Sequence, residues 1–133
     1  RVLDVEFTEG EFIAKEVIKS TLMYLTLDHN LPIFTLDREG LLSFLYTGAG
    51  FKEVIIPHHD YFNRRFHLSG KNPTTVRPIF TDELIRFLES HPFYHVESNG
   101  GALMILKKER LLGVNEIRAM IYFGLELRTL LQK

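Results

Sequence analysis

Between Tyr94 and Leu106 the chain reads Tyr-His-Val-Glu-Ser-Asn-Gly-Gly-Ala-Leu-Met-Ile-Leu, and this stretch leaves the fewest folding options. Tyr94, Val96 and Ser98 alternate with His95 and Glu97, which is the period of an extended strand. Asn99-Gly100-Gly101 supplies residues that accept positive φ, and Ala102 to Leu106 returns. Two alternating runs about such a turn predict a β-hairpin. The same loop is not a nucleotide-binding glycine motif. It lacks the strand, Gly-x-Gly-x-x-Gly and helix context, and no Lys-Ser/Thr follows.

A hairpin needs a sheet to join, and the rest of the chain supplies one. Leu3, Val5 and Phe7 alternate with Asp4, Glu6 and Thr8, the pattern of a half-buried strand. Glu9-Gly10 is a turn candidate. Residues 11–18 carry both strand and helix signals, and a short turn favours a returning strand. Thr21 to Leu27 is apolar on both parities, which predicts a central strand buried on both faces. Pro32 holds Leu31 extended, and Ile33 to Leu36 continue as strand. Lys52 to Ile56 and Arg65 to Ser69 read as further strands, with Phe66 and Leu68 inward and Arg65, His67 and Ser69 outward.

Helix signals are fewer. Asp37 is a candidate N-cap for a helix over 38–47, with Leu41, Leu42 and Leu45 as its apolar stripe and Gly48 and Gly50 as its stop. Asn72-Pro73 opens a short turn at 73–77, and Pro78 prevents one regular helix there. Thr81 caps a helix from about Asp82 to Ser90, with Leu84, Ile85, Phe87 and Leu88 on its buried face. The last helix spans about Val114 to Leu131. Ile117, Met120, Gly124, Leu127 and Leu131 recur three and four apart, widened by Ile121 and Leu125. Gly124 costs about 1 kcal/mol against alanine there, which implies close approach to another backbone.

The elements sum to an α+β fold: a largely antiparallel sheet with about three helices packed on one face. At 133 residues and 45% hydrophobic composition, residues 1–133 are read as a single soluble domain with a sizeable core. Eleven Phe and five Tyr make that core aromatic as well as aliphatic. A net charge of -1 argues against a general nucleic-acid binder. The absence of cysteine removes disulfides, thiolate metal sites and thiol nucleophiles. It fits a reducing compartment, so the cytoplasm or the cytoplasmic face of a membrane is the expected location. No run of about 18 apolar residues is present to span a bilayer. The chain begins at Arg1, within a strand pattern, and is expected to be a piece of a longer protein.

Polar chemistry concentrates between Ile55 and Phe80. His58, Asp60 and His67 are the candidate metal ligands, since imidazole and carboxylate are the ligand types available. Neighbouring His59 points to the opposite side of an extended chain from His58. The plainer reading is a polar loop with surface histidines. Arg64, Arg65, His67 and Arg77, with Lys52 and Lys71 nearby, are the candidate residues for binding an anion. The plainer reading there is a solvated strand face. The serines show no nucleophile-elbow pattern, and no cofactor motif is present.

Three segments carry a family resemblance: Leu31-Pro32-Ile33-Phe34-Thr35-Leu36, Asp60 to Gly70, and Val76-Arg77-Pro78-Ile79-Phe80-Thr81. Over most of its length the chain resembles an uncharacterised bacterial family. Its members often pair a membrane-anchoring N-terminal part with a soluble domain. The resemblance implies an association with a membrane and no particular activity. The leading expectation is therefore a non-enzymatic interaction or structural domain of a membrane-associated bacterial protein. One alternative is a module for a small anionic or lipid-like ligand, held in a Phe-lined pocket between sheet and helices. The other is a metal-dependent hydrolase. If the 114–131 helix keeps an exposed face, a second copy of the chain or a missing N-terminal segment could dock on it.

Overall fold

The computed structural model describes residues 2–9, 16–38, 50–107 and 112–132. Their seven strands form one sheet, antiparallel at every pairing: β1 (Val2–Glu9), β2 (Glu16–Thr26), β3 (Phe34–Arg38), β4 (Lys52–Glu53), β5 (Phe66–Gly70), β6 (His95–Ser98) and β7 (Ala102–Lys107). The order across the sheet is β1-β2-β7-β6-β3-β5-β4. Four helices accompany it among the described residues: α1 (Asp60–Arg65), α2 (Pro73–Val76), α3 (Asp82–Glu89) and α4 (Val114–Leu131). The fold is α+β, as the element pattern predicts.

The predicted hairpin is β6–β7. Gly100 takes the positive φ, +103°. Asn99 Oδ1 accepts from the backbone N–H groups of Gly101 and Ala102 at 3.1 and 2.9 Å. Register then divides the side chains. Phe34, Leu36, Leu68, Val96, Leu103, Ile105, Met23 and Leu25 share one face, against which the helices lie. Phe62 from α1 stacks on Phe66 with ring centroids 4.9 Å apart, and Phe80 meets the edge of Phe34 at 5.3 Å. Phe62 is fully buried, so its loss would cost about 3–5 kcal/mol.

Several helix ends follow the sequence. Thr81 Oγ1 accepts from Leu84 N–H at 3.2 Å and caps α3. Asn72 Oδ1 accepts from Thr74 N–H at 3.2 Å and caps α2. Pro78 sits in a 3-10 turn, Arg77–Ile79, which links α2 to α3 without a regular helix. In α4, Met120, Phe123, Gly124, Leu127 and Leu131 are buried, while Ile117 and Ile121 are half-buried.

Other expectations need correction. Arg38, expected to open a helix, ends β3 instead, and Asp37 lies within that strand, opposite His67 on β5. Its carboxylate faces His95, and in-sheet pairing fixes its backbone. The rest of the helix predicted over 38–47 lies outside the described residues. The turn read at Glu9-Gly10 and the strand read over 11–18 fall largely on residues 10–15, outside the described residues; residues 16–18 join those from 21 in one strand of 11 residues, Glu16–Thr26. That strand is not central. It is second from the edge, and it alternates: Met23 and Leu25 are buried, Tyr24 half-buried and Thr26 exposed.

The loop expected before β5 is helix α1. It is pinned by Asn63, whose side chain both accepts from Ile56 N–H (3.0 Å) and donates to Ile56 O (2.8 Å). Ser69 is not outward in solvent but fully buried, as is Thr35 beside it. Close approach at Gly124 is made by side chains rather than by backbone. A Cβ there would lie 2.7 Å from Met23 Sδ and 3.0 Å from Ile105 Cδ1. No described helix is long and apolar enough to cross a membrane.

Candidate functional site

The residues singled out around Ile55–Phe80 scatter over two faces and two loops. His58 sits exposed in a turn with φ of 68°, a left-handed value uncommon outside glycine. His59 Nε2 lies 2.7 Å from Asp82 Oδ1, tying this turn to the start of α3. Asp60 is the exposed first residue of α1. His67 is on β5, on the sheet face away from the described helices, with Nδ1 3.9 Å from Glu53 Oε1. Among the described residues, no group of three or more His, Asp or Glu is arranged to hold a metal ion. His58, Asp60 and His67 therefore form no joint site.

The cationic set disperses as well. Arg64 and Arg65 are exposed on α1. Arg65 donates to the Tyr61 hydroxyl and lies over its ring, 5.2 Å from the centroid. Arg77 Nε donates to Ile55 O at 2.9 Å, bracing the chain after β4. A pocket of about 430 Å³ opens beside Thr81, Asp82, Glu83, Leu130 and Leu131. Another, of about 220 Å³, is lined by Ile33, Thr35, Phe51, Glu97 and Met104. Each has a carboxylate in its wall, and neither is lined by Arg64, Arg65, His67 or Arg77. Neither matches the Phe-lined anion pocket expected between sheet and helices.

Two features that sequence reasoning missed are more informative. One is a polar rank on the sheet face away from the described helices. His95 is buried, with Nδ1 3.2 Å from Asp37 Oδ2 and Nε2 3.3 Å from Glu97 Oε1. An imidazole can offer an N–H to both carboxylates only when protonated, because the neutral ring carries a single N–H. Two strands away, on β5, His67 Nε2 and Ser69 Oγ are buried without hydrogen-bond partners among the described residues. They share a face but are not joined to each other, so no nucleophile and base are coupled there. The alternation His95-Val96-Glu97 was the available signal. It sets His95 and Glu97 on one face, but Asp37 joins them from another strand, which no local pattern states.

The other feature is the far end of the sheet. β2 pairs with β1 over Glu16–Met23, but with β7 only over Thr21–Thr26. From Glu16 to Ser20 it therefore has β1 alone, among the described residues. The overhang is about 17 Å at the usual strand rise. A two-stranded ribbon is marginal in water without a third strand or a packed face. The outer edge of β1 presents a row of backbone N–H and C=O groups with no strand beyond it among the described residues. By register Val2 stands opposite Met23 and Glu9 opposite Glu16. Leu22, Tyr24, Met104 and Leu106 share one face in the body of the sheet. Compared with known proteins, the chain matches no family model, no curated protein and no solved structure.

Proposed function

We propose that this chain is a non-enzymatic interaction domain that receives an extended segment of a partner along β1. The overhang of β1 and the first half of β2 carries this reading. A long edge strand left open is a template for strand addition, and a third strand would stabilise a ribbon that is marginal with two. Exposed Val114, Tyr122 and Leu125 on the outer side of α4 give a second, smaller surface for the same assembly. The resemblance of Leu31–Leu36, Asp60–Gly70 and Val76–Thr81 to a bacterial family with membrane-anchored members suggests that such an assembly stands at a membrane.

Amide hydrogen exchange, read residue by residue, tests the proposal. In the protein alone, alternate amides of Val2–Glu9 should exchange rapidly, because among the described residues β1 pairs with β2 alone. Added extended peptides should protect the exposed set. Full protection of all β1 amides in the free monomer would refute the reading, since the edge would already be occupied.

A further inference from the structure

We infer that the outer face of α4 docks a second copy of this chain, as an antiparallel helix pair centred on Tyr122. The inference does not rest on the edge-strand reading. Val114, Arg118, Tyr122 and Glu126 follow one another four residues apart, which makes them a single ridge along the helix. The ridge is exposed along its length: Val114 is 73% and Tyr122 69% exposed, and Arg118 and Glu126 are exposed on either side of Tyr122. Exposed Leu125 lies next to this ridge. Large apolar side chains gathered on one exposed face mark a contact surface rather than ordinary scatter.

The charges name the occupant. α4 contains Glu116, Arg118, Glu126 and Arg128 and no other charged residue. Arg118 and Glu126 stand at equal distances before and after Tyr122, and so do Glu116 and Arg128, each pair with opposite signs. Reversing the helix about Tyr122 therefore exchanges every charge for its opposite. Two antiparallel copies centred there set Arg118 of each beside Glu126 of the other. A parallel pair would set Arg118 against Arg118 and Glu126 against Glu126. Moving the antiparallel centre by one residue matches Glu116 with Glu126, or Arg118 with Arg128. Packing geometry agrees. Rows of residues four apart run at about 26° to the helix axis, and helices packed along such rows cross at about −50°, the commonest angle in globular proteins. The two inner charges are also available. The side chains of Arg118 and Glu126 make no hydrogen bond or ion pair among the described residues. Glu116 accepts from Gly113 N–H and Arg128 donates to Thr26 O, both at 3.3 Å, so the outer charges already serve their own chain. One helix pair buries less than the about 1,200 Å² at which stable interfaces begin, so the dimer should be weak and in rapid exchange.

Sedimentation equilibrium at about 10 μM to 1 mM protein spans the association expected of such a contact. The wild type should dimerise, more weakly as salt rises. Tyr122→Ser should abolish dimerisation. Arg118→Glu leaves only acids beside Tyr122 and Glu126→Arg only bases, so each variant alone should associate at least about tenfold more weakly than the wild type. An equimolar mixture of those two variants should recover the association as a heterodimer, and Arg118→Glu/Glu126→Arg should recover it as a homodimer. Recovery also shows that the variants are folded. A wild type that stays monomeric throughout would overturn the inference and give the α4 face to a different partner. So would a dimer that survives both single charge reversals, which would put the contact elsewhere on the chain. A mixture no tighter than its components would overturn the antiparallel arrangement and the inference with it.

Discussion

Replacing Gly124 by alanine sets two effects of opposite sign against each other. Glycine in a helix interior is about 1 kcal/mol worse than alanine, so propensity alone predicts that Gly124→Ala stabilises α4. Packing opposes it. The new Cβ would lie 2.7 Å from Met23 Sδ and 3.0 Å from both Met23 Cε and Ile105 Cδ1. Those distances fall roughly 0.5–1 Å inside ordinary carbon contact. Met23 is 2% exposed and Ile105 0%, so neither can swing into solvent. Overpacking of this kind costs about 1–3 kcal/mol. The thioether of Met23 is flexible enough to absorb some of it, which puts the net effect near 1 kcal/mol of destabilisation. Urea unfolding of the wild type, Gly124→Ala, Met23→Ala and the double variant isolates the contact. Met23→Ala alone should cost about 2–5 kcal/mol. In its presence Gly124→Ala should become stabilising by up to about 1 kcal/mol, giving a coupling of at least about 1 kcal/mol. The reasoning fails if Gly124→Ala stabilises the wild type by its full propensity gain, or if the two changes are additive.

Gly70→Ala should be worse than neutral for a stiffer reason. Its Cβ would meet β-branched Val76 Cγ2 at 2.7 Å and the backbone oxygen of Ile33 at 3.0 Å. A loss of about 1–2 kcal/mol in urea midpoints is expected, and a gain would contradict the register of β3 and β5. His95→Phe should destabilise by about 3 kcal/mol, because it withdraws the imidazole from two carboxylates at a buried position. Glu97→Gln should cost less, since the Glu97 side chain is 24% exposed. Equal losses in equilibrium unfolding would show that the rank is not organised around His95. Burial pushes the Tyr94 hydroxyl above its ordinary pKa of 10.0. Its stabilising contribution is present in full below that value and is lost as pH rises through the higher folded-state value. Stability measured across alkaline pH should therefore fall more steeply in the wild type than in Tyr94→Phe.

Elements whose residues state both their period and their ends were legible in the sequence. The Asn99-Gly100-Gly101 turn, the Thr81 cap and the span of α4 needed no tertiary information. Misreadings came where a residue has two local meanings. Arg38 follows a cap-like Asp37 and so resembles a helix start, and only pairing with Phe66 on β5 makes it a strand residue. Phe123 was overlooked on α4 because it lies between the rows chosen as its stripe, yet it is buried against Tyr94, with ring centroids 4.6 Å apart. α1 has only six residues, and its anchor is the Asn63–Ile56 contact, which periodicity does not encode. The site was less legible still. Asp37, His95 and Glu97 come from two strands brought together by register, so no linear motif contains them. The overhang of β1 and β2 depends on where β7 stops pairing with β2 among the described residues, which is a property of the whole sheet.

The strand order has a consequence for how this protein is made. β2 finds its second neighbour in β7, and Thr26 is separated from its partner Ala102 by the intervening length of chain. At ribosomal speeds of about 5–20 residues per second, synthesis of that interval takes roughly 4–15 s. Throughout that time the nascent β1–β2 hairpin has no seam to close against. A chaperone that shields exposed strands would find its substrate here early, before the segment that finally anchors the hairpin has left the ribosome.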